Sequence, residues 1–346
     1  MAKQKKNVLL IGYPSVTARV ILQQMVNDAI SITLLISQNS LPDQSLKTLK
    51  RKFPKNLTIL EGSPASIDMG LSGPAYLELA QKTDFIISCH GFTLSTDIKF
   101  YKSEAAELIE FIHASKYRAV LIYFSTIAVA SSHTGIFAEH DTNSSPGFSS
   151  TLAEGCFKAE NMLKKSDSRI SFFIIRTSIP EGCIFSSFSI VTLILAESDN
   201  FFRRPHHPFL FTPASFISSA AGLIMSSSDK VSLPDRNSFH LFKTSSLTAG
   251  EIAGLIHKNV NEQLSPFYDI KKAAARRLQN AGLQFFIPEL LQTLFMNASN
   301  ETTIVNAWTN SVFCKYSDKT SCIFIKPYFD WDSIIENELE KIAGFQ

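Results

Sequence analysis

Glycine is scarce in this chain: 14 in 346 residues, about 4% against a usual share of about 7%. A loop that must bring its backbone close to a ligand therefore has few places to do so. Cysteine is sparse as well. Cys89, Cys156, Cys183, Cys314 and Cys322 are odd in number, scattered, and include no Cys-x-x-Cys pair. That excludes a disulfide framework and a structural zinc site, and it predicts buried thiols in a reducing compartment with no metal centre. Neither sign of charge dominates, since 33 Lys+Arg against 31 Asp+Glu leave a net +2. No nucleic-acid partner is expected from such a balance. Long apolar runs are missing too. The longest, 188–196, falls well short of the roughly 18 residues that span a bilayer. The basic start, Met1 to Lys6, leads into only Asn7-Val-Leu-Leu-Ile11, shorter than the apolar core of a signal peptide, about 7–15 residues. These absences predict a soluble, cytoplasmic protein with no membrane span.

What is present is core. Hydrophobic residues make up 45% and charged ones 18%, which excludes a disordered chain. The length suits one large domain or two closely packed ones. With 28 Phe, 8 Tyr and 2 Trp, most rings are packing mass without a polar handle. Short apolar runs at 8–11, 31–36, 57–60, 84–88, 119–124 and 170–175 read as strands buried on both faces. Between them the spacing predicts helices, among them one carrying Val16, Val20, Ile21 and Met25 on one face and others over 104–115 and 152–165. Strands alternating with helices predict an α/β fold with a doubly wound parallel sheet. Any ligand then sits at the carboxyl ends of the strands. A further βα pair is expected at 238–257, returning to the main sheet, and helices at 269–281, 288–296 and 332–342.

Several strings carry a resemblance. Gly70-Leu-Ser72 with Tyr76 and Leu79-Ala80 leads into the strand at Asp84. Phe124-Ser-Thr126 ends a strand, Gly135-Ile-Phe-Ala-Glu139 follows it, Lys158-Ala-Glu160 lies on the next helix, and Arg176 precedes Pro180 and Gly182. Together they resemble the extended short-chain dehydrogenase/reductase family, in its thioester-reductase and fatty-acyl reductase branch. The resemblance implies a Rossmann-type domain over 1–180 and a smaller, mostly helical substrate lobe over 181–346. It implies an NAD or NADP cofactor and an acyl-thioester or carbonyl substrate, carried on an acyl carrier protein or on CoA. In that family a tyrosine one helical turn before a lysine supplies the proton, and a Ser or Thr hydroxyl polarises the carbonyl.

On this resemblance Thr126, with Ser125 beside it, stands where the hydroxyl belongs and Lys158 where the lysine belongs. Four residues before Lys158 is Glu154, not tyrosine. Glu154 is either a replacement acid or base, or the far end of a capping box, Thr151-Leu-Ala-Glu154. The three-glycine cofactor turn is reduced to Gly12, Ser15 and Ala18, so a side chain stands where backbone should approach pyrophosphate. Ser37 ends the second strand, Gly62-Ser63 the third, and His90-Gly91 follows the fourth. Tyr123 shares a strand face with Ser125 and reads as core. Arg203, Arg204, His206 and His207, with Lys271, Lys272, Arg276 and Arg277, offer cationic surface to an acidic carrier, or are solvated loops and helix. Three functions stay open: an atypical NAD(P)-dependent reductase, a non-redox enzyme (lyase, isomerase or cyclase) using Glu154 and Lys158, and a non-catalytic binding relative.

Overall fold

The computed structural model describes residues 5–280 except 28, 38–43, 90–96, 132, 143–146, 149, 181–189, 204, 207, 232–236 and 264–268; beyond 280 it describes 302–304, 306, 309, 335 and 339. The chain begins with strand β1 (Lys6–Ile11), helix α1 (Val16–Met25), β2 (Ile30–Ile36), α2 (Gln44–Lys52) and β3 (Leu57–Glu61). A short 3-10 turn, Ile67–Gly70, precedes α3 (Gly73–Lys82), β4 (Phe85–Ser88) and α4 (Ile98–Ala114). Then come β5 (Val120–Thr126), a second 3-10 turn Ile127–Ala130, β6 (Gly135–Phe137), α5 (Thr151–Lys164) and β7 (Phe172–Thr177). The remainder comprises α6 (Ile190–Ala196), α7 (Ser198–Phe202), β8 (Pro208–Phe211), α8 (Ala214–Val231), β9 (Ser238–Leu241), β10 (Lys243–Thr248), α9 (Ala249–Gln263), α10 (Ile270–Asn280) and β11 (Thr302–Ile304). The helices expected at 288–296 and 332–342 fall outside the described residues.

Seven strands form one sheet in the order β3-β2-β1-β4-β5-β7-β9, and every neighbouring pair is parallel. The period-2 alternation of a strand explains both faces. In β1, Val8 and Leu10 point to one side, where α1 and α8 cover them with Ile21, Leu22, Ile217 and Ile224. Leu9 and Ile11 point to the other, under Tyr101, Leu108 and Phe111 of α4 and Ala159 and Leu163 of α5. Covering on both faces is why these strands read as continuous apolar runs. At one edge of the sheet β9 pairs with β7, matching Ile175 to Phe239 and Arg176 to His240. A third core joins α6, α9 and α10 around Phe201, Phe209 and Phe211. Among the described residues no helix is long and apolar enough to cross a membrane.

Candidate functional site

Because the sheet is parallel, the carboxyl ends of its strands gather on one edge. The order reverses at β1: β2 and β3 lie to one side, β4, β5, β7 and β9 to the other. Such a switch point opens a crevice. Gly12 leaves β1 there with φ +100°, and a Cβ on it would stand 2.7 Å from the carbonyl carbon and oxygen of Cys89. That neighbour is backbone and cannot turn aside, so the position tolerates glycine alone.

Ser15, the residue in the place of the second glycine, has a structural role. Its hydroxyl donates to the Cys89 carbonyl at 2.7 Å and accepts from the Ala18 amide at 3.2 Å. It is thus the N-cap of α1 and a tie between this turn and the end of β4. The side chain is buried, and its hydroxyl is engaged by the Ala18 amide of the first turn and the Cys89 carbonyl. Ala18 is fully buried, which lets the helix pack closely. Ser37 is exposed at the end of β2, and Ser63, half-buried after β3, donates its amide to the Met69 carbonyl at 2.8 Å. His90 and Gly91 lie outside the described residues.

At the end of β5 both candidate hydroxyls are fully buried. Thr126 Oγ1 accepts from the Ala128 amide at 3.1 Å and caps the turn Ile127–Ala130, which leaves its own hydrogen to donate. Ser125 donates to Glu160 Oε1 at 2.6 Å. Glu160 in turn holds Arg176, whose Nη2 is 2.7 Å from Oε2 and whose Nε is 3.1 Å from Oε1. Burial works to raise the Glu160 carboxyl, but the Arg176 guanidinium outweighs it and keeps the group below its usual range. Arg176 also donates to the carbonyls of Glu139 and Asp141. Ser125, Glu160 and Arg176 stand out in the sequence singly, but neither their connection nor His240 does.

The phase of α5 decides the rest. Residues advance about 100° around a helix, so Leu152, Cys156 and Glu160 form one row, and all three are buried against the core. Gly155 sits beside them under the ring of Tyr101, where a Cβ would come within 2.3 Å of the ring. Glu154 and Lys158 lie on the opposite side, each about a third exposed (side chains 32% and 40%), and pair with one another. The structure therefore brings Glu154 to Lys158, and brings neither to Ser125 or Thr126 by any hydrogen bond. The helix row that does meet β5 offers a leucine and a cysteine. Burial first, then the Glu160 charge, drives the Cys156 thiol far above its ordinary range. Tyr123 is buried, its hydroxyl also pushed far up by burial and without a hydrogen-bond partner among the described residues. The expected capping box is shifted by one residue: Ser150 is the cap, accepting from the Ala153 amide at 3.1 Å, and Glu154 stands too far along to reach back.

Several solved structures superpose on nearly the whole chain. The terminal R domain from the myxalamid PKS-NRPS biosynthetic pathway aligns with a TM-score of 0.70 over 99% of this chain and 92% of its own, at 14% identity. This chain has the reductase-domain fold. The reductase (R) domain of a nonribosomal peptide synthetase from Mycobacterium tuberculosis gives 0.68 over 100% and 93%, also at 14% identity. UDP-glucuronic acid 4-epimerase from Bacillus cereus, solved in complex with NAD, gives 0.58 over 97% and 96% at 11% identity. By sequence the chain matches no family model and no curated protein. The cationic surface expected on this reductase fold is partly neutralised, Lys271 lying 3.6 Å from Asp199 and Lys272 3.0 Å from Asp269. Arg203, His206 and Arg276 are exposed, whereas Arg204 and His207 lie outside the described residues.

Proposed function

We propose that this chain is a binding relative of the reductases: it takes an NAD(P)-type dinucleotide along the carboxyl edge of its sheet and does not reduce a substrate by a tyrosine–lysine route. One observation carries the reading, namely that the α5 row meeting β5 is Leu152, Cys156 and Glu160, with no phenol or ammonium in it. The phosphate half of the ligand fits. The Gly12 turn and the buried Ala18 bring backbone close to the N-terminus of α1, where Ser15 takes the Ala18 amide and the amides ahead of it would receive pyrophosphate. Ser37 and Ser63 would line the adenosine side, and Thr126 the nicotinamide side. A bound NAD(P)H would supply a hydride. Ser125 is committed to Glu160, so of the residues described at the end of β5 only Thr126 keeps a hydroxyl hydrogen to give a carbonyl. An acyl thioester carried by CoA or an acyl carrier protein is the ligand class that would enter beside it.

That remaining Thr126 hydrogen favours one second reading, an atypical reductase that polarises its substrate with Thr126 and draws its proton from solvent. Calorimetric titration with NADPH and NADH, followed by absorbance of bound NADPH on adding an acyl-CoA or an aldehyde, separates the two. The binding reading expects saturable dinucleotide binding, weaker than micromolar, and no loss of NADPH absorbance. Turnover of NADPH would install the second reading, and absence of any binding would sink both.

A further inference from the structure

Among the described residues the carboxyl edge of the sheet is closed on one side of its switch point and accessible on the other. At the ends of β4, β5 and β7 the polar side chains are occupied within the protein. Ser88 donates to Glu104 at 2.6 Å, Ser125 to Glu160 at 2.6 Å, Thr177 to the Ser125 carbonyl at 3.2 Å and Ser178 to the Leu210 carbonyl at 3.0 Å. Arg176 holds Glu160, and Thr126 Oγ1 takes the Ala128 amide. Ser88, Ser125, Thr126, Arg176, Thr177 and Ser178 are all 2% exposed or less. The turn Ile127–Ala130, with Leu152 and Cys156 of α5, belongs to the apolar core beside them. At the ends of β1, β2 and β3 the surface is reachable: Pro14 and Ser37 are exposed, and Val16, Gly62 and Ser63 are half-buried.

We propose, resting on the dinucleotide seat inferred above, that this edge recognises the adenosine diphosphate half of its ligand and does not read the nicotinamide, so that ADP-ribose binds as readily as NADH. The accessible half carries what a diphosphate and its ribose need. Helix α1 runs 10 residues, long enough to present a dipole to an anion, and the Gly12 turn leads into its first amides. Ser37 and Ser63 add hydroxyls at the neighbouring strand ends. The closed half offers a carboxamide little. Of the residues described at the end of β5, Thr126 alone keeps a hydroxyl hydrogen to donate, and it is fully buried. Making room for the nicotinamide ring there means parting the strand ends, which pulls on a Glu160–Arg176 pair at 0% and 1% exposure. Breaking such a pair leaves a buried charge without its partner, a far larger cost than a carboxamide hydrogen bond offsets.

The test sets each dinucleotide against the same molecule without its nicotinamide: NADH against ADP-ribose, and NADPH against 2′-phospho-ADP-ribose. In calorimetric titration of the full chain the dinucleotide should be no more than about tenfold tighter than its partner, about the most that one neutral hydrogen bond contributes. A dinucleotide that binds tighter than its partner by more than about tenfold would overturn this selectivity and leave the dinucleotide seat standing. No binding by any of these compounds would sink the seat itself, and the selectivity with it. Saturation-transfer NMR on whichever dinucleotide binds gives a second reading that needs no variant. Its adenine protons should be saturated strongly and its nicotinamide protons weakly, and equal saturation of the two rings would also overturn the proposal.

Discussion

At the scale of single residues, polar groups near the carboxyl edge divide into those committed to the fold and those left for a ligand. Ser15 belongs to the first group, with one hydroxyl capping α1 and tying it to Cys89. Ser15→Ala should lower stability by about 1 kcal/mol, as loss of a cap does, and a urea midpoint indistinguishable from wild type would contradict that role. Lys158 is the opposite case. It pairs with Glu154 on the outward side of α5, so Lys158→Ala should change stability by less than about 0.5 kcal/mol and leave dinucleotide binding unaltered. A large loss of binding in that variant would move the crevice round to that face. Glu104 gives a pH effect of known sign. Burial raises its carboxyl from 4.5 to about 8, partly opposed by the Ser88 hydroxyl that donates to it at 2.6 Å. The folded state thus keeps a proton that the unfolded chain releases, so this group's contribution is full below about pH 4.5 and is lost as pH rises towards 8. Glu104→Gln keeps the acceptor and abolishes the titration. Its urea midpoint should gain on wild type steadily from pH 5 to 8, and a constant gap would refute the assignment.

At the scale of elements, the strands were legible because burial on both faces leaves an unbroken apolar signature, as in Asn7-Val-Leu-Leu-Ile11. Their order along the chain also announced the crevice. Helix phase was not legible. Ser149, Ser150 and Thr151 are all competent caps, and choosing Thr151 over Ser150 puts Glu154 in the wrong role. The pairing of Glu160 on α5 with Arg176 on β7, and of Arg176 with His240 on β9, joins residues on different elements, which no local pattern records. Gly155 shows the same limit. Nothing nearby marks it, yet it is where α5 meets Tyr101 of α4. Gly155→Ala should cost about 1–3 kcal/mol by overpacking, despite alanine's better helix propensity. A stabilised variant in denaturant titration would mean that the Tyr101 ring swings away freely.

At the scale of the whole molecule, β9 knits the second half of the chain into the first, since its Phe239 is fully buried and stacks on Phe173 of β7 with centroids 6.3 Å apart. Phe239→Ala should therefore weaken the entire sheet, by about 3–5 kcal/mol, and fluorescence and circular dichroism should still report one coincident transition. Two separated transitions would show that the halves unfold independently. The strand order also has a consequence for how the chain is made. β1 leaves the ribosome first among the strands, and it is central: its second neighbour, β4, ends at Ser88. At about 5–20 residues per second, one long edge of β1 waits several seconds for its partner during synthesis. Of the strands in this sheet, the apolar run of β1 is thus exposed longest to the cell, and the basic residues Lys3, Lys5 and Lys6 beside it are well sited to keep nascent chains from pairing with each other.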